Sequence, residues 1–106
     1  MTIFVDDMRR LAVPRGGRVR ARWSHLFTDQ DDQTELHEFA ARLGLKREWF
    51  QGAKWETTHP WRCHYDVTDR VRARALELGA TPVTYPHGLS ELIEMRKQSR
   101  RPAAAS

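Results

Sequence analysis

Apolar residues follow two rhythms along this chain, one of strands and one of helices. Ile3-Phe4-Val5 is a continuous run that meets two adjacent carboxylates, Asp6 and Asp7, and it reads as a buried strand ending in charge. In an open parallel sheet, ligands collect beyond the carboxyl ends of the strands, so both aspartates would stand at the rim where chemistry occurs. From Val19 an alternation sets Val19, Ala21 and Trp23 against Arg18, Arg20 and Arg22, predicting a short strand with one arginine face. Leu36, Phe39, Ala40 and Leu43 then fall at i, i+3, i+4 and i+7 and predict a helix over 34–43. Asp32 followed by Glu35 resembles a capping box with Asp in place of Ser or Thr, and Gly44 stands where a left-handed C-terminal cap belongs.

The rest of the chain continues the alternation. Trp49-Phe50-Gln51 is a short run expected to be buried, followed by Gly52 and a loop through Pro60. Asp66 or Thr68 can cap a helix carrying Val71, Ala75 and Leu78 on one face and ending at Gly79. Pro82-Val83-Thr84-Tyr85 reads as a strand, with Pro82 placing it at a sheet edge or a strand start. A last amphipathic helix is expected from about Leu89 to Lys97, and from Arg96 the chain becomes a basic, small-residue tail read as disordered. Strands alternating with helices argue for βαβ units. The expected fold is α/β, a small, largely parallel sheet of three to four strands flanked by about three helices, with one domain over 1–95 and the tail over 96–106.

Composition narrows the class. At 106 residues, 40% apolar and 9% aromatic, the chain suits one folded domain. No apolar run approaches the roughly 20 residues needed to span a bilayer, and no secretory apolar segment follows Met1. With a single cysteine, Cys63, no internal disulfide can form, which agrees with a reducing compartment. A cytoplasmic protein without a membrane association is the expectation. The net charge of +4 rests mostly on arginine, 15 of the 18 basic residues, and permits a polyanionic partner while also being ordinary for solubility.

Candidate chemistry lies in three places. Asp6 and Asp7 are adjacent, and successive strand residues point to opposite faces, so both serve one site only if the strand has ended there. His59-Pro60-Trp61-Arg62-Cys63-His64-Tyr65-Asp66 brings two imidazoles, a thiol and a carboxylate into eight residues. A closed zinc site needs four ligands, and a second cysteine is missing, whereas an open site of histidine and carboxylate needs three. Trp23-Ser24-His25-Leu26 contains a serine beside a histidine but no nucleophile elbow, so His25 matters here as a residue that can reach the rim holding Asp6. His37 and His87 read as surface residues. No dinucleotide fingerprint and no Walker phosphate loop occurs in its usual form. Gly16-Gly17 among arginines would suit a phosphate-wrapping turn.

Several blocks together carry a resemblance: T-I-F-V-D-D at the start, W-S-H-L at 23–26, L-H-E-F-A-x-R-L-G-L at 36–45, W-F-Q at 49–51, H-Y-D-V-T at 64–68 and L-G-A-x-P-V near 78–83. They resemble the DUF4031 family, small uncharacterised domains of bacteria and phages, over about residues 2–85. The resemblance implies a small domain of this type and lends no activity or catalytic residues.

Three functions fit these residues. The first is a divalent-metal-dependent hydrolase acting on a phosphodiester or nucleotide. There Asp6, Asp7 and Asp66 would hold Mg, Mn or Zn, His64 and His25 would serve as catalytic ligand or general base, and Arg15, Arg18, Arg20 and Arg22 would bind phosphate. The second is a nucleic-acid-binding module without chemistry, using those arginines with Trp55 and Trp61 as stacking platforms. The third is an accessory factor whose tryptophan-rich loop over 49–61 anchors a protein partner. Oligomeric state is not readable from these features.

Overall fold

The structure, a computed structural model, describes residues 2–13 and 20–100. The expected glycine turn over 14–17, Arg15, Arg18 and residues 101–106 lie outside the described residues.

Five strands form one sheet. They are β1 (Ile3–Asp6), β2 (Arg10–Ala12), β3 (Ala21–Thr28), β4 (Tyr65–Thr68) and β5 (Thr81–Val83). The eight-residue β3 organises it. Along one edge, Leu26, Phe27 and Thr28 pair with β1, and Ala21, Arg22 and Trp23 pair with β2. Along the other edge, Trp23 to Leu26 pair with β4. All three of these pairings are antiparallel, and the parallel pairing of the sheet is β1 with the outer strand β5.

The sheet is therefore mixed and mostly antiparallel, with five strands, not the largely parallel sheet of three to four expected from strand–helix alternation. The physical reason is connectivity. β2 and β3 are antiparallel neighbours, β4 pairs antiparallel with β3 although the first helix separates them, and the strand after the second helix joins β1 instead of the strand it left. The strands on either side of the second helix do run parallel to each other, but β3 and β1 lie between them, so that crossover forms no parallel ladder of its own.

Three α-helices complete the domain: α1 (Thr34–Arg42), α2 (Asp69–Glu77) and α3 (His87–Arg100). The first two end alike. In α1, Gly44 adopts φ +80°, its N–H bonds to the Ala41 carbonyl, and the Leu45 N–H bonds to the Ala40 carbonyl at 2.9 Å. Gly79 of α2 adopts φ +104°, with its N–H on the Leu76 carbonyl and the Ala80 N–H on the Ala75 carbonyl at 2.9 Å. Both are Schellman caps, and glycine enters the left-handed region without a Cβ clash. Gln33 holds the N-cap position of α1, while Asp32 accepts the Thr34 N–H and hydroxyl in a local turn, so the expected capping box is not formed there.

Thr68 caps α2 by accepting the Val71 N–H. Asp66 is consequently not the cap but a member of β4.

Side-chain alternation divides the sheet into two faces. Val5, Leu26, Tyr65 and Val67 point to one face and pack with Leu36, Phe39 and Ala40 of α1 and Ala75 of α2. His25 and Asp66, paired across β3 and β4, occupy the other face with Phe27.

Further differences from the expectation concern the loop and the C-terminal helix. Residues 47–49 form a 3-10 turn with Trp49 exposed, and Gln51 pairs with His64 through two backbone hydrogen bonds. His37 is half-buried, not a surface residue, with its Nδ1 2.8 Å from the Tyr65 hydroxyl. Helix α3 runs through Arg100, so residues 96–100 are helical and not a disordered tail. Arg96 reaches inward, with its side chain only 11% exposed, and donates to the carbonyls of Thr28 and Gln30, each at 2.9 Å. It pins α3 to the end of β3.

Each hydrogen bond from a charged group to a carbonyl contributes about 1.5–3 kcal/mol. Arg96→Ala is therefore expected to lower stability by roughly 3 kcal/mol and to raise amide hydrogen exchange in α3 while the β3 amides stay protected. Unchanged exchange in α3 would contradict this role.

Candidate metal centre

The site grows out of the point where the β1–β3 ladder stops. Register would next set Asp6 opposite His25, but there the Asp6 side chain replaces a main-chain partner. Its Oδ1 accepts the His25 N–H at 2.9 Å and the Met8 N–H at 3.2 Å, and its Oδ2 lies 2.5 Å from His25 Nδ1. The Asp6 carboxylate is 0% exposed. Burying a charge is costly unless it is paired and hydrogen-bonded, and these three contacts supply that compensation. Beyond the break, Arg9 turns the chain with φ +47°, its N–H on the Ser24 hydroxyl and its guanidinium bidentate on Asp69.

His25 therefore has one nitrogen committed to Asp6, and Nε2 remains for the open face. His64 is held the same way. Its Nδ1 donates to the Arg62 carbonyl at 2.8 Å, and its Nε2 lies 3.4 Å from Asp66 Oδ1. The two imidazoles meet edge to face with centroids 4.9 Å apart. One ligand atom from each of His25, His64 and Asp66 falls within 4.8 Å of the others.

The electrostatics suit a cation. Burial opposes charge on His25, yet the hydrogen bond and negative charge of Asp6, with Asp66 adding to them, outweigh it and raise its pKa above the ordinary 6.5. Burial also works against ionisation of Asp66, but the hydrogen bond and charge of His64 and the charge of His25 hold its carboxyl below the usual range. Asp66 is thus an ionised carboxylate on the open face, with its side chain 42% exposed.

Sequence reasoning named most of these residues but not their parts. His25, His64 and Asp66 come together. Asp6 stands behind His25 with its oxygens already used, and Asp7 accepts the Tyr85 N–H at 2.6 Å outside the cluster. Arg22, three positions before His25 on the same strand, points to the opposite face and donates to the Arg9 carbonyl, and Arg20 is an exposed residue just ahead of β3. Ser24 is buried on that opposite face, away from any nucleophile geometry with His25.

Other neighbours were missed. Tyr85 lies with its ring centroid 5.9 Å from that of His25. A cavity of about 200 Å³ opens beside the two histidines, with Phe27, Trp61, Leu89 and Ile93 among its walls. Trp55 and Trp61, expected as stacking platforms, are both half-buried. The i, i+4 spacing of Leu89 and Ile93 was visible as an apolar stripe, although nothing local in the sequence assigns that stripe to a histidine pair. Cys63, also on the cavity wall, donates to the Gly52 carbonyl, and burial pushes its thiol up, away from thiolate reactivity.

Because Asp6 is what lifts the His25 pKa against burial, Asp6→Asn is expected to bring it below 6.5. In the native protein the pair's contribution to stability is fully present below pH 6.5 and is lost as pH rises through the raised value. NMR titration of the His25 ring checks the shift, and identical midpoints in the two proteins would contradict it.

No curated protein and no solved structure matches the chain. A family model described as "Protein of unknown function (DUF4031)" matches residues 3–99, from the first residue of β1 almost to the end of α3. The chain belongs to the DUF4031 family.

Proposed function

We propose that this protein is a divalent-metal-dependent hydrolase in which His25, His64 and Asp66 hold the ion. The observation that carries the reading is the fixing of both imidazoles from behind. A carboxylate takes one Nδ1 and a backbone carbonyl the other, while the ligand atoms facing outward gather with Asp66 within 4.8 Å. Metal-ligating histidines characteristically donate their other ring N–H to such partners, which set the tautomer and ring orientation.

Three protein ligands are the number expected of a catalytic site, since they leave coordination positions for water and substrate. Two imidazoles with one carboxylate suit zinc, manganese or ferrous iron, whereas magnesium prefers oxygen donors. Of the metals considered from sequence, zinc and manganese therefore fit best. A bound ion of this kind makes water a nucleophile near neutral pH and polarises the bond under attack.

The chain's own residues supply the rest. Asp6 keeps the His25 ring aimed at the open face, and its buried charge strengthens the imidazole as a donor. Asp66 supplies negative charge that offsets the ion's own. We keep hydrolysis from the sequence-based reading as the chemistry that a three-ligand site with open coordination positions would perform. Of the arginines expected to bind phosphate, Arg22 projects from the other face of β3, and Arg15 and Arg18 lie outside the described residues.

Calorimetric titration tests the reading. Zinc is expected to bind one ion per chain, more tightly than magnesium, and the affinity should fall as pH drops through the raised pKa of His25, because the imidazole must lose its proton to bind. His25→Ala and His64→Ala should each abolish tight binding, and Asp6→Asn should weaken it by about 10–100-fold. Equal zinc affinity in native protein and His25→Ala would remove the proposal.

A further inference from the structure

The cavity beside the histidines bears on what such a hydrolase acts upon, and this inference rests on the function proposed above. The cavity measures about 200 Å³, and Phe27, Trp61, Leu89 and Ile93 give it largely apolar walls, while Arg62, His25 and His64 add polar groups, the histidines on the side nearest Asp66. An apolar cavity of roughly 150 Å³ can hold one benzene ring. The space here thus fits a single ring together with the atoms joining it to a reacting group.

Its elements come from distant parts of the chain. Phe27 follows His25 by two residues and shares its face of β3, Trp61 precedes His64 by three, and α3 brings Leu89 and Ile93 across the opening. Arg96 of α3, anchored on Thr28 and Gln30, keeps that wall against the sheet. The side chains of Phe27 and Trp61 offer ring surfaces suited to offset or edge-on contact with an aromatic guest.

We infer that the cavity receives one aromatic ring of the substrate and presents the carbonyl joined to that ring to His25, His64 and Asp66, making the substrate class esters or amides of aromatic acids. In the reaction, water adds its hydroxyl to the acyl carbon as the bond from that carbon to oxygen or nitrogen breaks. The leaving alcohol or amine takes a proton, and an aromatic carboxylate remains.

That carboxylate provides the probe. Benzoate and acetate are titrated into the protein with and without zinc, with chemical shifts followed at the Leu89 and Ile93 methyls and the Trp61 indole. Benzoate is expected to shift these signals in both states and to bind the zinc-loaded protein about 10–100-fold more tightly than acetate, the gain from burying one ring. Ile93→Trp, which fills the cavity, should cancel that preference without changing zinc affinity. If Ile93→Trp fails to fold, Leu89→Trp makes the same test.

The outcomes separate the two proposals. Zinc binding with equal affinities for benzoate and acetate overturns the ring pocket and leaves the metal site standing. Cavity shifts by benzoate in a protein that binds no zinc would overturn the hydrolase and leave a ring-binding cavity. No shift at Leu89, Ile93 or Trp61 in either state overturns the inference outright.

Discussion

A buried carboxylate bonded to one nitrogen of an imidazole is the interaction from which the remainder of this site follows. Asp6 is removed from water, so its charge must be satisfied locally, and it takes two backbone N–H groups and the His25 ring. The same contacts end the β1–β3 ladder and fix the direction of His25. Satisfying a strand end thereby also orients a ring: His25 is held through Nδ1, and Nε2 stays outside that contact. Arg72 reinforces the arrangement by donating to the Asp6 carbonyl at 2.7 Å, tying α2 to the same point.

The two faces of the sheet divide the work. Helices α1 and α2 cover the face built from Val5, Leu26, Tyr65 and Val67, which carries the hydrophobic core. Strand alternation then places His25 and Asp66 on the reverse, where no comparable packing competes for them. Helix α3 reaches this reverse face through Leu89, Ile93 and Arg96, so the ring cavity and the histidines share one wall. The core and the histidine cluster thus lie on opposite sides of the same strands, and substitutions on one side should be largely separable from the other.

Much of this was legible before any coordinates. Helices α1 and α2 followed from apolar spacing and from Gly44 and Gly79, because their caps depend on residues near in sequence. Membership of the family was visible in short blocks spread along the chain. The likeness of Asp6, His25, His64 and Asp66 as one group was also readable, since strand ends and a histidine-rich loop are where such groups collect. Strand order and direction were not, because they are decided by long-range pairing that local alternation does not encode. For the same reason the sequence did not show that the Asp6 oxygens are taken up by His25, a residue 19 positions away. Asp66 was ambiguous between capping and binding until β4 gave the cap to Thr68.

Functional division within the cluster therefore turns on direction: His25 and His64 held from behind, with Asp66 joining them in front. X-ray absorption at the zinc edge of the loaded protein reads those ligands without reference to any substrate. Two imidazole nitrogens at about 2.0–2.1 Å with oxygen filling the remaining positions is the predicted result. A shell of oxygen alone, or one containing the Cys63 sulfur, would contradict it.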